Sequence, residues 1–371
     1  MRKRICIVVT ARPSYARIQT VIEALHASDQ VDLHLVMAAS SLLHHYGKVE
    51  DDCPFPVQHR IWSTLDGHNH VTTATETGLL TIKLAQLFSD LRPEVVVTIA
   101  DRHETLATAM AASYQHIPLA HVQGGERTGS IDDKVRNAVS ALADLHFPAT
   151  MKAEHRLWQQ DVKGTIFQYG CPSIDLAARV QPDPSYANTI IVLQHPVTGE
   201  ATYARAQAQE TYHAVTQFAA THRIVWFWPG QDAGTEGIAK FLREREHAGQ
   251  VGIEWRRHVP ADRFMSALLG CCVLVGNSSV GIRETAFLGV PTVDVGNRQM
   301  GRERGQNVLH ATHLHDAIEA AIHHQIAHGP YAHDTLYGTG NAGRRIAAAL
   351  LDPAAVGAAE ALDCHSHAAG Q

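Results

Sequence analysis

Residues 121–136, HVQGGERTGSIDDKVR, gather Glu126, Asp132, Asp133, Arg127 and Arg136 around a Gly-Gly turn that follows an apolar run. Carboxylates packed this closely suit proton transfer. Like charges held together push one pKa upward and so prepare a base beside an acid. A second acidic group, ADRHE at 100–104, supplies Asp101, Arg102 and Glu104 just past a Val/Ile-rich run. Leaving different strand ends of one sheet, Asp101 and Glu126 would approach each other across its rim. Asp132 and Arg136, four apart, share one face of a new helix, where the plain alternative is an exposed ion pair. TARPSY at 10–15 adds Arg12 past a first strand, with Ser14 placed to cap the helix that follows.

The second half of the chain carries the complementary chemistry. VGNSSVGIRE, residues 275–284, reads as strand, then Asn277, Ser278, Ser279 and Gly281, then helix. Free backbone N–H groups, two hydroxyls and a helix terminus make an anion site fit for a phosphate or diphosphate; a well-capped helix with no ligand is the alternative. GNRQMGRERG at 296–305 adds Arg298, Gln299, Arg302 and Arg304, and LQHPVTGE puts His195 past another strand end. Together these parts describe a diphosphate leaving group on the second half, facing carboxylates on the first.

The elements that must position them follow from hydrophobic patterning. Short Val/Ile-rich runs alternate with longer amphipathic or Ala-rich stretches, the pattern of a parallel sheet covered on both faces. Strands are expected at 5–9, 31–38, 94–100, 119–122, 145–148 and 166–169, and in a second series at 190–193, 223–228, 251–255, 271–275 and 291–295. The class is α/β, with two doubly wound Rossmann-like domains facing across a cleft. The expected division is 1–182 and 183–352 at the polar stretch PDPS, with a last helix returning to the first domain and a disordered tail over 353–371. GTGNAG at 338–343 imitates a dinucleotide fingerprint, but no strand precedes it, so a loop into a last helix is expected.

Composition narrows the partners. Over 371 residues the net charge is −6, which argues against nucleic acid, because phosphate-backbone binding needs a concentrated positive field. No apolar run approaches the ~18 residues of a membrane span. MRKRICIVV is too short in its apolar part for a signal peptide and reads as a first strand of a cytoplasmic protein. Six cysteines without a CxxC pair, and 26 histidines without HExxH, give no support to a disulfide framework, a metal site or a redox cofactor.

In order and spacing, TARPSY, ADRHE, HVQGGERTGSIDDKVR, LHF at 145–147, GCPSID at 170–175, HPVT at 195–198, GNSSVGI at 276–282 and RQMGR at 298–302 resemble the hydrolysing UDP-N-acetylglucosamine 2-epimerases. The resemblance spans about residues 5–350 and extends more distantly to the non-hydrolysing enzymes. It implies a fold like that of GT-B glycosyltransferases, with nucleotide on the C-terminal domain and sugar in the cleft. It also implies elimination of UDP across C1 and C2 to a 2-acetamidoglucal, then hydration to an N-acetylmannosamine-type sugar, without a cofactor, in a homodimer or homotetramer. By matched motif, Asp101, Glu126 and Asp132 would handle protons, with Arg136 beside them and His195 from the other domain. Ser278, Ser279 and Gly281 would contact the diphosphate and Glu284 the ribose.

Three positions depart from that family's pattern: Ala100 in place of glycine, Asn137 in place of histidine and Ala141 in place of lysine. Asn137 points to an altered proton relay, a different sugar such as the 2,4-diacetamido-2,4,6-trideoxy series, or reduced activity. Three rival readings stand beside the first: a non-hydrolysing epimerase, a glycosyltransferase and a non-enzymatic nucleotide-sugar binder.

Overall fold

The computed structural model describes residues 2–44, 47–66, 69–230, 232–249, 252–352 and 354–355, so the tail expected from 353 lies almost wholly outside it. Two parallel sheets form the frame. The first comprises β1 (Lys3–Val9), β2 (Val31–Ala38), β3 (His59–Ile61), β4 (Val95–Ile99), β5 (Leu119–Val122), β6 (Leu145–Phe147) and β7 (Thr165–Ile166), in the order β3-β2-β1-β4-β5-β6-β7. The second comprises β8 (Thr189–Leu193), β9 (Arg223–Phe227), β10 (Ile253–Arg256), β11 (Val273–Gly276), β12 (Thr292–Val295) and β13 (Val308–Ala311), ordered β10-β9-β8-β11-β12-β13.

Alternation along β1 shows why each sheet is covered twice. Ile5, Ile7 and Val9 pack with Val21, Ile22 and Leu25 of the helix Gln19–His26, whereas Cys6 and Val8 face Leu80, Leu84 and Phe88 of the helix His70–Leu91. Successive side chains of a strand point to opposite faces, so an unbroken apolar run needs helices on both. In the second sheet Ile190 and Val192 pack toward Tyr212, Phe241 and Ile318, and Ile191 toward Met265 and Leu268. Burying one such side chain stabilises by roughly 1.5–3 kcal/mol, so each layer is secured by its own core.

Two edge strands escape the patterning. β3 is three residues of sequence HRI and β13 reads VLHA, both too short and polar to stand out. The strand expected at 166–169 shrinks to Thr165–Ile166, with only a further bond from Phe167 N–H to the His146 carbonyl.

The last helix, Ala342–Leu351, returns to the first sheet, where Ile346 and Leu350 join the core beside Ile22. Its N-terminus is the end of GTGNAG. The N–H groups of Ala342 and Gly343 donate to the Asp175 carboxylate at 2.9 and 2.7 Å, and Thr20 Oγ1 donates to it at 2.9 Å. A protein carboxylate takes the place that a phosphate holds in a dinucleotide fold.

Among the described residues no helix is long and apolar enough to cross a membrane, and no group of three His, Cys, Asp or Glu could hold a metal ion.

Candidate functional site

In an open parallel sheet the ligand crevice lies outside the carboxyl ends of the strands, where the winding reverses. The reversal falls between β1 and β4 in the first sheet and between β8 and β11 in the second. The segments beyond those four ends carry Arg12, Asp101, His195 and Ser278–Ser279, and a cavity of 310 Å³ opens between them, lined by both lobes.

On the first lobe, Asp101 pairs with Arg136 and lies 3.6 Å from Arg302 Nη2. Burial pushes its pKa up, but Arg136, Arg302 and Arg17 outweigh burial and hold it far below the usual carboxylate range. Glu126 accepts from Arg283 Nη2 at 2.5 Å and from Arg302, while Arg136 Nη1 donates to its backbone carbonyl at 2.7 Å. Here too burial is overcome, by Arg283, Arg302 and Arg136, and the pKa falls to about 2.

The mutual elevation expected for Asp101 and Glu126 is therefore absent, because Arg302 stands between them as a shared partner. Asp132 takes that role instead. Burial raises its pKa, and the Asp101 and Asp232 charges add to the rise against a smaller pull from Arg298. Nor does Asp132 pair with Arg136 across one helical turn. Arg136 turns to Asp133 at 2.6 Å and to Asp101, while Ser130 Oγ donates to Asp132 at 3.0 Å. Asp133 anchors the loop by accepting from the N–H groups of Thr128 and Gly129, both at 2.7 Å.

On the second lobe, Ser278, Ser279, Arg298, Gln299 and Arg302 line the cavity. The helix expected directly after the serines is shorter, a single 3-10 turn at Ser279–Gly281 and then Glu284–Leu288. Its dipole is correspondingly small, so guanidinium groups supply most of the positive field. Glu284 also lines the cavity, with Oε2 buried and unpartnered among the described residues. His195 accepts from Gly230 N–H at Nδ1 (3.4 Å), and its pKa is pushed down to about 4, first by burial and then by Arg298. With Nδ1 as acceptor the neutral ring carries its proton on Nε2. Beyond these groups Phe227, Trp228, Phe264 and Met265 form an apolar wall.

Five of the expected site residues stand behind the cavity wall. Glu126 and Arg136 are sealed in the ion network described above. Glu104 is buried against Arg102 Nε at 3.1 Å. Asn277 brackets His195, accepting from its N–H at 2.7 Å and donating to its carbonyl at 2.8 Å, while its own carbonyl receives Arg298 and Gln299. Gly281 packs on the sheet, where a Cβ would meet Thr292 and Leu274 at 3.0 and 3.2 Å. Arg12 and Arg102 do line the cavity, but Arg12 also donates to Asp52 at 2.7 Å and Arg102 to Asp232 at 2.9 Å. Arg304, grouped by sequence with the anion-binding arginines, donates to Asp294 at 2.7 Å instead.

Three contributors are new. Arg17, one turn beyond Arg12, lines the cavity and donates to Ser279 Oγ at 2.7 Å; burial and Arg283 draw its pKa down to about 10. Asp232 follows the end of β9, so the strand-end rule that selects Asp101 also selects it. Arg283, clamped on Glu126, lies inside VGNSSVGIRE, where nothing in the spacing sets it apart.

The departures acquire physical meaning. Ala100 adopts φ 71° at 2% exposure, a left-handed conformation that glycine reaches without cost and alanine at about 1 kcal/mol. Asn137 and Ala141 are exposed on the outer face of the helix Asp132–Leu142, where Asn137 Oδ1 accepts from Gln160 at 3.1 Å. Asn137 is outside the cavity lining, so the altered relay has no structural basis.

Residues 23–351 match the family model described as UDP-N-acetylglucosamine 2-epimerase. The chain is 29% identical over 361 residues to the Legionella pneumophila UDP-N,N'-diacetylbacillosamine 2-epimerase (hydrolyzing), covering 93% of this chain and 94% of that one. It is 27% identical over 351 residues to a Neisseria meningitidis UDP-N-acetylglucosamine 2-epimerase, covering 91% and 92%. In fold it superposes on the Methanocaldococcus jannaschii UDP-GlcNAc 2-epimerase solved with UDP-GlcNAc and UDP, with a TM-score of 0.76, 17% identity and coverage of 94% and 99%.

Proposed function

This chain belongs to the UDP-N-acetylglucosamine 2-epimerase family, and from that premise we propose that it is a hydrolysing 2-epimerase of UDP-2-acetamido sugars. The observation that carries the proposal is the contrast within one cavity: Asp132 with an elevated pKa on one wall, hydroxyls and guanidinium groups on the other.

The C2 proton of the sugar lies beside no carbonyl and is only weakly acidic, so its removal must be coupled to departure of a stabilised leaving group. Ser278, Ser279, Arg17, Arg298 and Arg302 hold the diphosphate and receive its developing charge. Asp132 takes the C2 proton as the C1–O bond breaks and the C1=C2 double bond forms. A carboxylate of raised pKa is a stronger base than one clamped by arginines, which is why Asp132, not Asp101 or Glu126, has this role. Asp101 stays anionic and faces the positive character that develops at C1. Inversion at C2 requires a proton on the opposite face; the His195 ring, neutral at its lowered pKa, does not supply it but holds through Nε2–H the water that gives a proton to C2 and its hydroxyl to C1. Water then adds at C1 and releases the 2-epimer. The unpartnered Oε2 of Glu284 suits a ribose hydroxyl, and the apolar wall suits a flat base.

Incubation with UDP-N-acetylglucosamine in deuterated water, followed by proton NMR, tests the reading. Free UDP with C2-deuterated N-acetylmannosamine is the expected result. A manno product still linked to UDP would assign the non-hydrolysing reaction, and absence of C2 deuteration would exclude both. The Legionella relative makes UDP-N,N'-diacetylbacillosamine the second donor to try.

A further inference from the structure

Asp232 stands past the end of β9, on the lobe opposite Asp101 and Asp132, and lines the cavity. Its carboxylate accepts from Arg102 Nη1 at 2.9 Å across the cleft. Arg102 is fixed from behind, because its Nε donates to the buried Glu104 at 3.1 Å. The turn that carries Asp232 is fixed too: Thr235 Oγ1 donates to the Gly230 carbonyl at 2.6 Å and accepts from the Asp232 N–H at 3.1 Å. The other end of the same turn is Gly230, whose N–H meets His195 Nδ1.

Asp232 and Gly230, both tied to Thr235 Oγ1, therefore hold Arg102, the chain neighbour of Asp101, and His195 respectively. Burial pushes the Asp232 pKa up, but Arg102 and then Arg298 more than compensate and hold it below the usual carboxylate range. A partly buried charge held between preorganised groups fixes geometry better than a solvated one.

We infer that Asp232 is a positioning residue for the reaction proposed above: through Arg102 it sets the spacing between the proton-handling wall and His195 when the lobes close. It acts on no substrate atom. Its removal loosens the cleft by a fraction of a bond length rather than removing a reacting group, and such misplacements cost about 100-fold in rate.

The experiment compares wild type, D232N, D232E, R102Q and the R102Q/D232N double variant, using UDP-N-acetylglucosamine turnover and small-angle scattering with and without UDP. D232N is expected to lower kcat about 100-fold while KM moves less than about threefold, and D232E to recover to within about tenfold of wild type. The double variant should be no slower than R102Q alone, since one bridge is broken only once. Wild type should contract on binding UDP, and D232N should not. Additive losses in the double variant, or equal contraction of D232N and wild type, would overturn the inference. A wild type inactive on both UDP-N-acetylglucosamine and UDP-N,N'-diacetylbacillosamine refutes the proposed reaction instead, and the scattering comparison then decides the role of Asp232 by itself.

Discussion

The two rims of the cleft use the same backbone device with different residues. After β2, β4 and β5 the chain turns through left-handed conformations at Ala39, Ala100 and Gln123, with φ of 50, 71 and 70°. At the end of β11 and just past β12 the positive φ values belong to Gly276 and Gly296. Each non-glycine residue in that region costs on the order of 1 kcal/mol, and Ala39, Ala100 and Gln123 are all buried. At Gly276 a Cβ would lie 2.2 Å from the Leu193 carbonyl oxygen, so no side chain fits there. The first rim thus holds strain beside its carboxylates, whereas the second keeps its backbone bare where strands crowd. In the function proposed here the first wall supplies the proton chemistry, and the second, joined by Arg17 from the first, the charge capture.

Breaking the first wall should be the costlier intervention. Asp132→Asn is expected to reduce turnover by about 10⁴-fold, the upper range for a positioned acid or base, while UDP affinity by calorimetry stays within a few fold. A variant retaining substantial turnover would remove Asp132 from the chemistry.

Glu126→Gln leaves Arg283 and Arg302 buried beside a neutral partner, and should lower stability by about 3–5 kcal/mol in denaturant titrations. The pH dependence has a definite sign. A carboxylate depressed from 4.5 to about 2 contributes stability above its ordinary pKa and loses it as pH falls through the folded value. The gap between wild type and Glu126→Gln should therefore close between pH 4.5 and about 2; a gap that widens on acidification contradicts the ion network.

On the second wall, Ser279→Ala removes a hydroxyl bonded to charged groups, Arg17 and the proposed diphosphate, and should weaken UDP binding about 10–100-fold, equivalent to roughly 1.5–3 kcal/mol, with kcat little changed. A drop in kcat alone would blur the division between the walls. The smallest effect belongs to Asn137→His. The side chain faces solvent, so kcat and its pH profile should stay within about twofold, and a restored or abolished activity would place this face in the reaction after all.

Sequence resolves the central strands because each is an unbroken apolar run, and it brings Asp101, His195 and Ser278–Ser279 to the cavity because each lies just past such a run, whereas Asp132 opens the helix that follows the turn after β5. What it misses is set by partners distant in the chain. Glu126 sits in the same motif as Asp132, yet it is withdrawn from the cavity by Arg283 and Arg302, 157 and 176 residues away. No spacing rule encodes that clamp. Asn137 is the converse: adjacent to Arg136 in sequence, it points outward, since neighbours on a helix differ by about 100° in direction. The edge strands β3 and β13 fail for a third reason, being too short to show a period.

The return of the final helix sets how the halves can swing. The chain passes between them twice, after Ala177 and again before Ala342, and the two passages lie side by side, joined by the Cys171 N–H to Tyr337 carbonyl bond of 2.7 Å and by Asp175. Adjacent crossings would share one axis, as on a door, which would favour opening and shutting over sliding or twisting. A closing motion about that axis would bring the wall of Asp101 and Asp132 to one fixed depth against the wall of Ser278 and Ser279.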